Sequence, residues 1–320
     1  MKKLAYQVIF VVLTALVLAV PAMARGTLVP VGQAVGLELD GKGLTVAGFD
    51  KELGDSAKAA GLNLGDTIIK AQGQPVETAE DLVQQVKQCQ GTMTLTILRP
   101  EGEQEVLLEP AKTVDGKRLG IYVREGITGI GTVTYYDPDT GAFGTLGHGV
   151  SDSQGVLMPL EGGKVYPAEI ITIQRGKSGT PGQLQGAFRS RDELGQLEKN
   201  TKSGVFGTSR PFAGTPLPVA ENDQIHTGSA KILSDLAGGQ PKEYSVEILQ
   251  VYSGSAAAGR NLLLHVTDPE LIKATGGIVQ GMSGSPIIQD GRLIGAVTHV
   301  LVNNPTRGYG IFIENMLEAA

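Results

Sequence analysis

Gly281-Met282-Ser283-Gly284-Ser285-Pro286 sets a hydroxyl between two glycines. A hydroxyl becomes a nucleophile only beside a base that takes its proton, and the base needs a third group to orient it. The oxyanion that forms needs preorganised donors, usually backbone N–H groups. Glycines on either side of Ser283 allow a tight turn that exposes Oγ and lets the N–H groups of Gly281 and Ser283 converge on one point. Ser283 is therefore the expected nucleophile, with Gly281 and Ser283 as oxyanion donors. Ser285 is the rival hydroxyl, although it falls where a small residue packs behind such a loop. A serine merely capping a glycine turn is the alternative. Against it, Pro286 to Val297 reads as two strands around an Asp290-Gly291 turn, so the loop leads directly into a hairpin.

Four histidines can serve as the base: His148, His226, His265 and His299. His148 is flanked by glycines in Gly144-Thr145-Leu146-Gly147-His148-Gly149-Val150, at the end of a strand-like run, where a ring can reach into a cleft. His265 and His299 alternate with apolar residues inside expected strands, the pattern of packed core histidines, and His226 sits in a polar loop. For the orienting acid, Asp268 closes the apolar run Leu262 to Val266 beside Pro269, where a carboxylate can be partly buried and still accept from an imidazole. Asp152, four residues after His148, is the alternative acid, and a cap or turn role stays open for Asp268. The dispersed histidines and the single Cys89 have no metal-ligand spacing, so neither metal nor cofactor is expected. Cys89 lies on the apolar face of an expected helix and reads as core.

Those residues must be carried by something. The chain has 320 residues with 45 glycines, no tryptophan and a formal charge of −6. That composition suits short strands joined by tight turns, and the charge gives no reason to expect nucleic acid as a partner. Val31 to about Pro110 reads as a small α+β module, with strands at Ala34–Leu39 and Gly43–Ala47. Its helix starts at a Thr78/Asp81 capping box, shows Leu82, Val86 and Cys89 on one face, and stops at Gly91. Lys112 to Lys117 reads as a polar connector. Strands follow at Leu119–Val123, Gly131–Tyr136, Lys164–Ile173, Glu243–Tyr252 and Asn261–Val266, the spacing of a sandwich or barrel. Arg189 to Lys202, the most charged stretch, is expected to be a solvated helix or loop. At the N-terminus, Lys2 and Lys3 precede the apolar run Val8–Val20 and Ala22-Met23-Ala24, the pattern of a secretory signal peptide. Cleavage after Ala24 takes the charge to −8; a retained anchor is the alternative.

Ala60-Gly61-Leu62, Gly65-Asp66, Ile68 and Gly73 to Val76, followed by an amphipathic helix, resemble the PDZ domains of bacterial proteases. Such domains add a peptide as a strand beside a helix and hold its terminal carboxylate on backbone N–H groups of a loop. Val35-Gly36-Leu37 is the expected loop. Gly147-His148, Thr267-Asp268-Pro269, Thr275 to Ile287, Gly120 to Arg124, Gly129 to Thr132 and Gly295 to Val300 resemble the stage IV sporulation protein B (SpoIVB) peptidase family, with His148, Asp268 and Ser283 in the order His, Asp, Ser. The resemblance implies a mainly β chain: signal peptide 1–24, PDZ domain 25–111, and a chymotrypsin-like double β-barrel 112–320. It further implies export to the space between forespore and mother-cell membranes. The substrates it implies are another copy of the chain, cleaved in trans, and a membrane-bound regulator, whose cleavage lets an intramembrane protease activate a late sigma factor. Peptide C-termini would be PDZ ligands. A non-catalytic PDZ-bearing scaffold and a general quality-control protease are the competing classes.

Overall fold

The computed structural model describes residues 26–99, 101–151, 155–236, 239–252 and 259–320; the signal segment 1–24 and Asp152 lie outside the described residues. Strands β1 (Thr27–Pro30) and β2 (Ala34–Phe49) come first, then helix α1 (Gly54–Ala59), β3 (Thr67–Ala71), β4 (Gln74–Pro75), helix α2 (Ala79–Gln88), β5 (Met93–Arg99) and β6 (Gly102–Leu108). The capping box at the start of α2 forms as expected: the Thr78 hydroxyl accepts from the Asp81 N–H, and the Asp81 carboxylate accepts from the Thr78 N–H. The expected connector is a short hairpin, β7 (Ala111–Thr113) with β8 (Gly116–Arg118).

Two expected pairs of strands merge into single long ones. β2 replaces the separate strands at Ala34–Leu39 and Gly43–Ala47, and β9 (Ile121–Tyr136) replaces those at Leu119–Val123 and Gly131–Tyr136. β2 and β9 pair antiparallel along both their halves, with a register shift between Leu39 and Leu44. Leu44 and Val46 pack into the core of the small module with Leu62, Ile68, Val86 and Leu95. Val35, Leu37 and Leu39 instead pack with Val133, Phe143, Val165 and Leu197. The ribbon thus starts in one hydrophobic core and ends in another.

The second of these cores fills a six-stranded barrel, in which β2 and β9 are joined by β10 (Ala142–Thr145), β11 (Leu160–Gln174), β13 (Gly195–Thr201) and β14 (Gly204–Ser209); β12 (Gln183–Phe188) extends from β11. β13 falls in the stretch expected to be a solvated helix or loop. Leu197 points into the core while Gln196 and Glu198 face solvent, so the charges lie on the wet side of an alternating strand. After β15 (Leu217–Pro218), a second barrel closes on itself: β16 (Gly228–Ser234), β17 (Lys242–Val251), β18 (Leu262–Val266), helix α3 (Pro269–Thr275), β19 (Pro286–Gln289), β20 (Arg292–Leu301) and β21 (Asn304–Phe312) precede helix α4 (Ile313–Ala319). β19 and β20 form the expected hairpin, with Asp290 and Gly291 both at positive φ (49° and 73°), as a type I′ turn requires. The architecture is mainly β, a chymotrypsin-like pair of barrels with a small α+β module on the N-terminal side.

Candidate active site

Ser283 sits in the loop between α3 and β19, and the bonds of that loop decide which of its N–H groups remain free. Met282 N–H donates to the Val279 carbonyl, Gly284 N–H to Val297 and Ser285 N–H to Met282. No acceptor for the N–H groups of Gly281 and Ser283 is found among the described residues. Each free N–H belongs to a peptide whose carbonyl is tied elsewhere. The Gln280 carbonyl accepts from Leu184 N–H (2.8 Å) and the Met282 carbonyl from Ser285 N–H (2.9 Å). Held at their carbonyl ends, these two planes cannot turn their donors away, which is the arrangement an oxyanion hole needs. Gly284 lies against the first barrel at φ 95°, where an added Cβ would meet the Thr132 carbonyl at 2.1 Å and the Leu146 nitrogen at 2.6 Å. Only glycine fits there. Ser285 is completely buried behind the loop, out of reach as a nucleophile.

His148 reaches the same place from the first barrel. The chain leaves β10 through Leu146 and Gly147, both at positive φ (68° and 67°), a turn that costs the non-glycine Leu146 strain of the kind found at functional sites. His148 Nδ1 lies 2.9 Å from the Gly149 carbonyl. A carbonyl only accepts, so Nδ1 carries the proton and Nε2 keeps the lone pair a base requires. Burial holds the His148 pKa below the usual histidine value.

His148, Ser283, Gly281 and His299 line one cavity of about 500 Å³, otherwise walled largely by aliphatic side chains such as Leu37, Leu39, Ile130, Ile278, Val279 and Val300. Among the described residues no Asp, Glu, Lys or Arg lines it. Ser283 Oγ donates to the Thr298 carbonyl (2.8 Å) in this resting arrangement. His299, on β20, was expected to be a core histidine, yet its ring centre lies 5.3 Å from that of His148. Its Nδ1 is buried without a hydrogen-bond partner among the described residues. Burial first, then the neighbouring His148 and Arg260, push its pKa down to about 4. His226 is exposed, 2.8 Å from Asp290, and His265 lies in β18 opposite Arg307.

Asp268 is not brought to this site. It is the N-cap of α3: its carboxylate accepts from Glu270 N–H (2.9 Å), Leu271 N–H (3.0 Å) and Ser245 N–H (3.2 Å). The expected orienting acid thus has its oxygens occupied, largely by a helix end, and no carboxylate hydrogen-bonds His148 among the described residues. Val35-Gly36-Leu37 is likewise not a carboxylate loop. Its residues pair with β11 on one side and β9 on the other, so their N–H and C=O groups face neighbouring strands, and Leu37 walls the catalytic cavity. The small module instead has a groove between Leu82, Val83 and Val86 of α2 and the stretch Arg118 to Val123 that opens β9. Beyond β2, no strand pairs with residues 121–125 of β9 among the described residues. Cys89 is buried in the core of this module. No group of three or more His, Cys, Asp or Glu side chains suited to a metal occurs among the described residues.

The family model described as SpoIVB peptidase S55 matches residues 115–317, more than half of the chain, and the PDZ domain model matches residues 27–98. No curated protein matches the chain. Among solved structures, an inactive serine-to-alanine mutant of Rv3671c from M. tuberculosis is similar over 60% of this chain and 80% of that one, at 14% identity and a TM-score of 0.33. The chain belongs to the SpoIVB peptidase family, serine peptidases of sporulation, and carries a PDZ domain on its N-terminal side.

Proposed function

We propose that the protein is an exported regulatory serine endopeptidase of sporulation signalling, which cleaves itself in trans and a membrane-bound regulator so that an intramembrane protease can activate a late sigma factor. The family supports the setting, and one observation supports the chemistry: a serine whose own N–H and that of Gly281 are both free shares a cavity with a histidine whose Nε2 is unprotonated. In this reading the Ser283 hydroxyl turns from the Thr298 carbonyl toward His148, which takes its proton as Oγ attacks the scissile carbonyl. The N–H groups of Gly281 and Ser283 hold the oxyanion. His148 then returns the proton to the leaving amine, and water repeats the sequence on the acyl-enzyme.

The aliphatic, uncharged cavity favours apolar side chains beside the scissile bond. Peptide C-termini dock on the open edge of β9 against α2, with the Arg118-Leu119-Gly120 turn at the carboxylate end. Export by the N-terminal segment would bring the enzyme to the space between the forespore and mother-cell membranes. The test is to incubate the purified protein with a catalytically dead second copy and with candidate regulator ectodomains, and to map the new termini by mass spectrometry. Cleavage of both that vanishes in Ser283→Ala is expected. Digestion of unfolded casein with neither of them cut would overturn the regulatory reading.

A further inference from the structure

The two reacting groups come from different barrels, and their relative placement has to be held to a fraction of an ångström for the proton transfer to work. One residue touches both sides. Thr132, on β9 and 1% exposed, donates from Oγ1 to the Gly281 carbonyl (2.7 Å) and from its N–H to the Ser283 carbonyl (3.2 Å). Its own carbonyl accepts from Thr145 Oγ1 (2.6 Å) and Leu146 N–H (3.3 Å), at the start of the turn that delivers His148. The peptide joining Gly281 to Met282 lies between the two oxyanion donors, so the Thr132 hydroxyl that grips its carbonyl helps set the angle between them. Two residues on, on the same face of the strand, Thr134 Oγ1 donates to the Gly284 carbonyl (2.7 Å).

We propose that Thr132 is a positioning residue of the peptidase reaction, its hydroxyl holding the nucleophile loop in register with the segment that carries His148. The proposal rests on the reading of Ser283 and His148 as nucleophile and base. Strand sterics do not account for the residue type: valine has the same branching and suits a buried strand as well, but would leave the Gly281 carbonyl without this donor. Thr132 never meets the substrate; it acts through the loop.

The test is the rate at which the full-length protein is phosphonylated by a small fluorophosphonate, with loss of fluoride, read with its concentration dependence. Thr132→Val is expected to lower the maximal phosphonylation rate by about 10–100-fold with little change in half-saturating concentration. The acid limb of its pH profile stays in place, because the base is unaltered. Thr132→Ser, which keeps the hydroxyl, restores the rate to within about threefold. Thr134→Val removes an equally buried hydroxyl one step farther from the donors, and is expected to cost stability with a smaller loss of rate. A wild-type phosphonylation rate in folded Thr132→Val overturns the proposal. Should Thr132→Val not fold, Thr132→Ala is measured in its place, and wild-type labelling of that variant overturns the proposal. Labelling that persists in Ser283→Ala overturns the nucleophile reading, and the proposal falls with it.

Discussion

The two barrels differ in how self-contained they are. The second closes with its own six strands and holds Ser283, Gly281, His299 and Asp268. The first borrows: β2 and β9 run on past its end to become strands of the PDZ domain. His148 hangs from this shared barrel. In the reading proposed above, the nucleophile and its oxyanion donors are kept on a closed scaffold, where register is fixed within one core, while the base stands on the barrel tied to the groove beside α2. The contact between the barrels, Thr132 and Leu146 against Gly281 to Gly284, therefore carries the alignment of the site.

Perturbations can be aimed at each side of this comparison. The largest effect is expected in the second barrel: Ser283→Ala should remove hydrolysis down to a level on the order of 10⁴-fold or more below wild type, measured with any peptide the enzyme cuts. Next comes the seam. Gly284→Ala forces a Cβ onto the Thr132 carbonyl at a left-handed φ, so a loss of about 10²-fold in kcat/KM is expected, accompanied by a lower Tm. On the PDZ side, Val83→Asp should weaken binding of a C-terminal peptide by about tenfold, read by fluorescence anisotropy, while acylation of Ser283 by a small probe stays within about twofold. A large fall in acylation there would mean that the groove and the catalytic site are one unit.

Two smaller effects separate stability from catalysis. Asp268→Ala removes the cap of α3 and should cost about 1 kcal/mol of unfolding free energy by denaturant titration, with kcat/KM of the folded enzyme unchanged. A catalytic loss of several orders of magnitude would return Asp268 to the site. The pH dependence follows from His148 and His299, whose native pKa values both lie below the ordinary 6.5. The unfolded chain therefore takes up protons as pH falls below about 6.5 while the native chain resists them, so native stability is full above that pH and declines toward about 4. A Tm series across this window should show the decline, and His299→Asn should flatten it. The acid limb of kcat/KM should lie below 6.5, since the base is the buried His148.

Much of the chemistry was legible along the chain because it is local. The nucleophile loop, the Asp290-Gly291 turn and the capping box at Thr78 are each defined by residues within a few positions of one another, and glycines around Ser283 and His148 announce turns that expose a side chain. Asp268 shows the limit of such reading. Aspartate before Pro-Glu-Leu is as good a helix N-cap as it is a strand-end acid, and the N–H groups of Ser245, Glu270 and Leu271 took the carboxylate. His299 was missed for the opposite reason. Alternation with apolar neighbours looks the same whether a ring points into a core or into a cavity at the meeting of two barrels.

The sequence by itself determined the family, and with it the kind of chemistry, and it determined the glycine-flanked turn that presents Ser283 through bonds between near neighbours. Tertiary structure decided what stands around that residue: that Leu37 walls the cavity instead of holding a peptide carboxylate, that His299 lies beside His148, and that Thr132 grips the nucleophile loop from some 150 positions away. Those contacts exist only once β2 and β9 have closed one barrel against the other, because no spacing along the chain brings strands from different barrels into hydrogen-bonding distance.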